Sequence, residues 1–451
     1  MTKLTRHTIA ACLACSLLLS PLNIEGASPA SAEQASVSIS NTYYNKIDAP
    51  VLKPAWTYSI TGLGSDEREF GANAIAANGK IIVLDKDGKL TALHAKTGKK
   101  LWSYGSGMTS LLTYSSGTIF GMNKNGTVIA LSEKGQKKWS AALGYKDADH
   151  LQLVGGTLYV TAGLQFAALD AASGKIKWKA SETDSMYSSG YPQVLQSENV
   201  VIRKYTVQGA LSAAQINAYD ARSGKKLWEH FKQAYPLTVK DGLVYSITGE
   251  YMFSDDPVNR KIEVSVFNLQ TGESKGTRVY PWKDKENTDG SFRSGGAYNT
   301  SFLDGNDFYV FQRGTLAKYN FWKYSSGQQP VQKWEQLEYD DRWPLYTIYD
   351  GKMFYQNQRT GGMLAMKLAN GQYVSYELGD NPTVQADIIS KGVYTGQSDG
   401  VFHAFHINTF KPVFTLKTGS REFGPTIQAD GMVYVQSGDK LYAVKLPAAL
   451  K

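Results

Sequence analysis

Ala92-Leu93-His94-Ala95-Lys96-Thr97-Gly98-Lys99-Lys100-Leu101-Trp102 decides the fold. It reads as a short apolar strand, a tight turn at glycine, and a second strand that ends in tryptophan. The pattern returns three times. Ala130-Leu131-Ser132-Glu133-Lys134-Gly135 leads to Trp139, the stretch from Ala168 to Gly174 leads to Trp178, and the stretch from Ala218 to Gly224 leads to Trp228. In each copy the Trp follows the turn glycine by four residues. A period of roughly 40 residues marks a repeat architecture. The 451 residues are therefore read as one array rather than several domains.

Each unit follows one grammar: an apolar strand, an Asn-Gly or Asp-Gly type turn, a Tyr/Val strand, a second turn, the Ala-Leu strand, a third turn and the Trp strand. In the first unit these are 74–77, 80–84, 90–94 and 99–104. Short strands with turn signals at this spacing predict an all-β antiparallel repeat. Turn glycines recur at Gly98, Gly135, Gly174, Gly224, Gly272, Gly327 and Gly371. An eighth unit has Phe410 at the glycine position and Phe414 at the Trp position. Units five and seven have Gly276 and Ser375 where Trp is expected, and unit six shifts it to Trp334. Tyr205–Ala213 and Gly249–Arg260 read as insertions.

The last unit, 426–446, has three strands and stops, whereas Ala55–Ile60 has a Trp strand and no partners of its own. Pairing the two closes a ring. An open solenoid would need polar caps instead. The expected architecture is thus a β-propeller of four-stranded antiparallel blades, closed by its N-terminal strand.

The Ala-Leu-Asp-Ala-x-[Thr/Ser]-Gly-Lys-x-x-Trp pattern resembles the repeat of the PQQ-like (quinoprotein-type) β-propeller family. The resemblance implies a docking role between neighbouring blades for Trp56, Trp102, Trp139, Trp178 and Trp228. It implies eight blades as the family norm, whereas the strand count in this sequence gives eight complete units plus one split unit, nine in all. Family members with quinone chemistry carry a vicinal cysteine pair and a calcium held by carboxylate and amide ligands. This chain has two cysteines, Cys12 and Cys15, both in its first 32 residues. No PQQ and no other cofactor, metal site or catalytic residue is therefore expected, because a shared fold does not carry a function with it.

Those first residues read as a signal peptide. Lys3 and Arg6 begin it, an apolar run covers 9–19, and Ala30-Ser31-Ala32 supplies the small residues of a cleavage site. The run is too short to span a bilayer. Leu13-Ala14-Cys15 fits a lipoprotein site poorly, because the apolar run continues beyond it. The expected organisation is a signal peptide over 1–32, a polar linker over 33–53 and one propeller domain over 54–451. The exported protein, extracellular or periplasmic, would begin near Glu33 as a monomer. A net charge of +8 without a Lys/Arg run gives no nucleic-acid site, and no transmembrane segment is expected.

His403 and His406 lie three apart on one strand and should point to opposite faces. Asp85-Lys86-Asp87-Gly88 is explained by a hairpin turn. The loops joining one blade to the next carry the remaining candidates, chosen because Trp, Tyr and Arg dominate binding hot spots. These are Arg68, Glu69, Tyr145, Tyr187, Tyr191, Trp282, Arg293, Asp340, Arg342, Trp343, Arg421 and Glu422. The expected function is a secreted binding or scaffold module for a protein or extracellular polymer. The alternatives are a subunit similar to the outer-membrane-assembly propellers, or a quinoprotein-like or sugar-acting enzyme.

Overall fold

Nine four-stranded antiparallel sheets follow one another along the described chain. They come from a computed structural model that describes residues 49–63, 74–209, 212–249, 259–283, 301–312, 315–335, 342–357, 361–376 and 381–451. Blades 1 to 8 span 74–104, 108–142, 150–181, 187–231, 238–283, 301–335, 342–375 and 383–417. Blade 9 is built from 427–445 and from Trp56–Ser59, which pairs Trp56 with Ala443 and Ser59 with Lys440. The N-terminal strand thus closes the ring. The strand count of nine holds, and the family norm of eight does not apply to this chain. Val51 also bridges to Thr415 in blade 8, so the chain meets the propeller before its closing strand.

First strands of successive blades touch one another, as between blades 1 and 2, 2 and 3, 3 and 4, and 9 and 1. They therefore line the centre, and fourth strands form the rim. The second and third strands are the most apolar: Ile81, Val83, Leu158, Val160, Val201 and Ile216 are fully shielded from solvent. Each sheet buries both faces, so its alternate residues enter the cores on either side of the blade.

The repeat tryptophans join the blades. Trp56 packs on Gly98 and donates from Nε1 to the Ala95 carbonyl at 3.1 Å. Trp102, Trp139, Trp178 and Trp228 do the same to Glu133, Ala171, Ala221 and Leu269, at 2.9 to 3.0 Å. A methyl group at Gly98 would stand 2.7 Å from the Trp56 ring, and φ there is +68°. Glycine is the residue that meets both demands. Trp334, despite its displaced position, reaches Leu368 at 3.0 Å.

Where Trp is missing, a different donor takes the same carbonyl. At the junction of blades 5 and 6, Arg278 donates to the Phe321 carbonyl at 2.6 Å, with its guanidinium over Phe321 and Tyr245. Between blades 7 and 8, the Tyr376 hydroxyl donates to Ile407 at 2.9 Å, and its ring meets Phe410 edge-on. At the last junction Phe414 has no donor and packs with Val444 and Leu450.

Candidate functional site: the raised rim of blade 4

The turns between first and second strands, and between third and fourth, form one face and are short except for 321–331 in blade 6. The blade-to-blade connections and the second-to-third loops form the other. Their proximity is direct: Met108 N–H donates to Gly88, Lys124 N–H to Gly107, and Leu143 N–H to Gly126.

Blade 4 stands above blade 3 on this loop face. Its second and third strands, Val200–Gln208 and Ser212–Asp220, pair at nine positions, against six in blade 3. Three further pairs raise the hairpin by about 10 Å at roughly 3.3 Å per residue. The stretch 205–213 is thus a strand extension and not a loop insertion. Its first strand, Tyr187–Ser197, is lengthened to match. Blade 5 is extended likewise, with ten-residue third and fourth strands. Met186, Tyr191 and Phe231 are exposed along the raised blade, at 49%, 39% and 50%.

A polar seam underlies the blade on its blade 3 side. Glu182 accepts from Asn217 at 2.8 Å, from Lys226 at 2.7 Å and from the Tyr219 hydroxyl. Tyr187 donates to Glu229, which also receives Lys226. Burial opposes the charge of Lys226, but hydrogen bonds to the two glutamates hold its pKa above the ordinary lysine value. Burial raises the Tyr219 and Tyr187 hydroxyls. The two carboxylates are joined through one ammonium, so they form a structural clamp rather than an acid and base of separate strength.

Arg203, fully buried, sits beside this seam without a carboxylate bond. Its donors go to the carbonyls of Tyr191 at 3.0 Å, Gln165 at 3.1 Å, Leu164 at 3.3 Å and Gly163 at 2.5 Å. Phe166 and Tyr205 lie under its plane. A buried charge is tolerated only when its donors are satisfied, and here backbone oxygens do so while fixing the base of the raised blade.

The blade 5 side is different. Lys204 places its Nζ 5.3 Å from the Tyr191 ring centre, and Tyr191 meets Tyr235 at 5.4 Å. Burial lowers the Lys204 pKa and pushes Tyr235 up to about 12.

The candidate loop residues separate on this framework. Tyr187 and Tyr191 lie on the first strand of blade 4, not in a loop. Tyr145 is buried, with its hydroxyl 3.4 Å from the Phe166 carbonyl and Lys179 over its ring, so it belongs to the core between blades. Trp282 is half-buried on the fourth strand of blade 5. Arg342 and Trp343 begin the first strand of blade 7, Arg342–Tyr349, where a loop was expected. Arg421 and Glu422 are exposed in the connection to blade 9. Arg68, Glu69, Arg293 and Asp340 lie outside the described residues. Lys204, Arg203 and Tyr235 escaped sequence reading, because a lysine or arginine inside a strand pattern carries no signal of what covers it.

His403 and His406 do diverge. His403 is buried between Thr415 Oγ1 and Gln397 Oε1, each at 3.1 Å, while half-exposed His406 caps the turn at Asn408. Among the described residues no three His, Cys, Asp or Glu side chains gather at a metal-binding distance. Both cysteines lie outside those residues. No helix among them is long and apolar enough to cross a membrane.

A family model described as outer membrane protein assembly factor BamB matches residues 35–143 and 124–375. The outer membrane protein assembly factor BamB of Burkholderia pseudomallei is 27% identical over 204 residues, which are 41% of this chain and 49% of that protein. The quinoprotein ethanol dehydrogenase of Pseudomonas aeruginosa is 31% identical over 140 residues, 28% of this chain and 20% of that enzyme. The chain thus spans about half or less of the curated relatives it matches. The crystal structure of BamB from Moraxella catarrhalis aligns with a TM-score of 0.40 at 13% identity, covering 88% of this chain and 100% of that one.

Proposed function

This chain belongs to the PQQ-repeat propeller family described as outer membrane protein assembly factor BamB, and on that premise we propose that it is a binding propeller whose loop face receives a partner protein. The reading is supported above all by blade 4, whose raised hairpin stands beside exposed Met186, with Tyr191 and Phe231 also exposed on the blade below it, on a base fixed by Arg203 and the Glu182–Lys226 clamp. Anchoring aromatics on a rigid support is how binding hot spots are built. A regular propeller has no need of the extension, since blades 1 to 3 close without it.

Export belongs to the same proposal: residues 1–32 act as a leader, and the mature protein works outside the cytoplasm. The family holds relatives named as an assembly factor and as a dehydrogenase. Binding is favoured over catalysis because the carboxylates of the polar seam, Glu182 and Glu229, are both tied to Lys226. The test is capture of partners from the exported fraction of producing cells with the wild type and with a Met186→Glu/Phe231→Glu variant. Loss of the same captured protein by the variant, at unchanged melting temperature, is expected. Equal capture by both would sink the assignment to this face.

A further inference from the structure

Lys204 differs from the other cations of blade 4. Arg203 gives its donors to four carbonyls, and Lys226 is bonded to two glutamates. Lys204 is half-buried on the opposite face of its strand, towards blade 5. Among the described residues its one recorded contact is with the Tyr191 ring. An ammonium has three N–H donors. A ring face attracts the charge but accepts none of them as a carboxylate oxygen does. Burial lowers its pKa, and among the described residues no carboxylate acts against it.

We propose that Lys204 anchors a carboxylate side chain from an acidic segment of the partner polypeptide, laid across Tyr191 and Tyr235. This rests on the loop-face reading and names the chemistry of the partner. The anion is a carboxylate rather than a phosphate because the site offers one point charge beside two rings. Phosphate is commonly held by an arginine fork or several convergent N–H groups, and the arginine here is already consumed. Tyr191 is partly exposed and its ring is steadied by Tyr235, so it offers a flat apolar surface to the stem of a glutamate.

The probe is a capped peptide alternating Ser and Glu, with a Ser/Gln peptide of equal length as its neutral match. Binding is measured at low ionic strength to the full chain and to Lys204→Met. Lys134→Met, an exposed lysine on the opposite face, serves as control. The expected result is binding of the Glu peptide that weakens by about tenfold or more on either neutralisation, as the loss of one partly desolvated charge pair requires, and is unchanged by Lys134→Met. A second readout is acetylation of Lys204 mapped by mass spectrometry, which the Glu peptide should slow. The proposal falls if the wild type does not bind the Glu peptide, if the Gln peptide binds equally, or if Lys204→Met binds as wild type. It also falls if inorganic phosphate or polygalacturonate protects Lys204 better than the peptide. Capture that is lost in Met186→Glu/Phe231→Glu but kept in Lys204→Met would overturn this proposal and leave the loop-face reading standing.

Discussion

Trp139, Arg278 and Tyr376 share little chemistry, yet each delivers one N–H or O–H to the same carbonyl of the next blade. The acceptor is what the fold fixes, since it follows directly on the third strand of the receiving blade. The donor is free to vary as long as it fills the space. Two replacements separate filling from bonding. Trp139→Ala removes both and should cost about 3–5 kcal/mol through lost burial and a cavity. Tyr376→Phe keeps the ring and leaves the Ile407 carbonyl unpaired, which should cost about 1–3 kcal/mol. Denaturant melts of the two variants check this, and a neutral Tyr376→Phe would mean that the carbonyl finds another donor.

His403 gives a pH signature at the same scale. Burial lowers its pKa, so the folded state holds the ring neutral while the unfolded chain titrates near 6.5. Below that value the unfolded state binds more protons, and stability is lost as pH falls towards the lowered folded pKa. His403→Gln should flatten this part of the stability profile. An unchanged slope between pH 7 and 5 would show that the ring is not shielded.

Among the elements, the closing strand Trp56–Ser59 carries the most consequence for its length. It pairs with Lys440–Ala443 and sends Trp56 into blade 1. Without residues 49–61, blade 9 would present a bare edge and the Ala95 carbonyl would lose Trp56, keeping the Tyr434 hydroxyl as its side-chain donor. Exposed edges invite association, so the shortened chain should aggregate in light scattering. A soluble monomer melting at the wild-type temperature would rule out this closure. The strand was legible in the sequence because Trp56 stood without partners while the last unit lacked a strand.

Other elements were not legible, for physical reasons. Arg278 lies two residues past Gly276, on the same side of the strand, and a sequence template that looks for Trp passes over it. Tyr376 follows the end of its strand by one residue. The alternation of Tyr205, Val207 and the Gln208-Gly209 turn signal was a hairpin written inside an apparent insertion. The polar seam of Glu182, Tyr187, Tyr205, Asn217 and Lys226 could not be read at all. Its members are scattered over about 45 residues and meet only when four strands and a connection pack together.

At the scale of the whole molecule, the ring has nine blades among the described residues, and its seams are unequal. Blades 1 and 2 meet through an apolar core that includes Ile82 and Ile119, and blades 2 and 3 through one that includes Val128, Leu158 and Ala167. Blade 4 is set between a polar seam and an aromatic-lysine seam, and it exposes Met186, Tyr191 and Phe231. Stability is spread around the ring by repeated docking, which leaves single blades free to depart from the repeat, as blades 4 and 5 do. The departure of blade 4 is where function is placed here.

The most direct test installs a benzophenone photocrosslinker at Met186, beside the raised hairpin of blade 4, and in a second protein at Ser173, on the opposite face. Both are exposed. After irradiation in the exported fraction of producing cells, the account predicts a discrete protein adduct from position 186 and none from position 173. Adducts from 173 alone, or equal adducts from both faces, would contradict it.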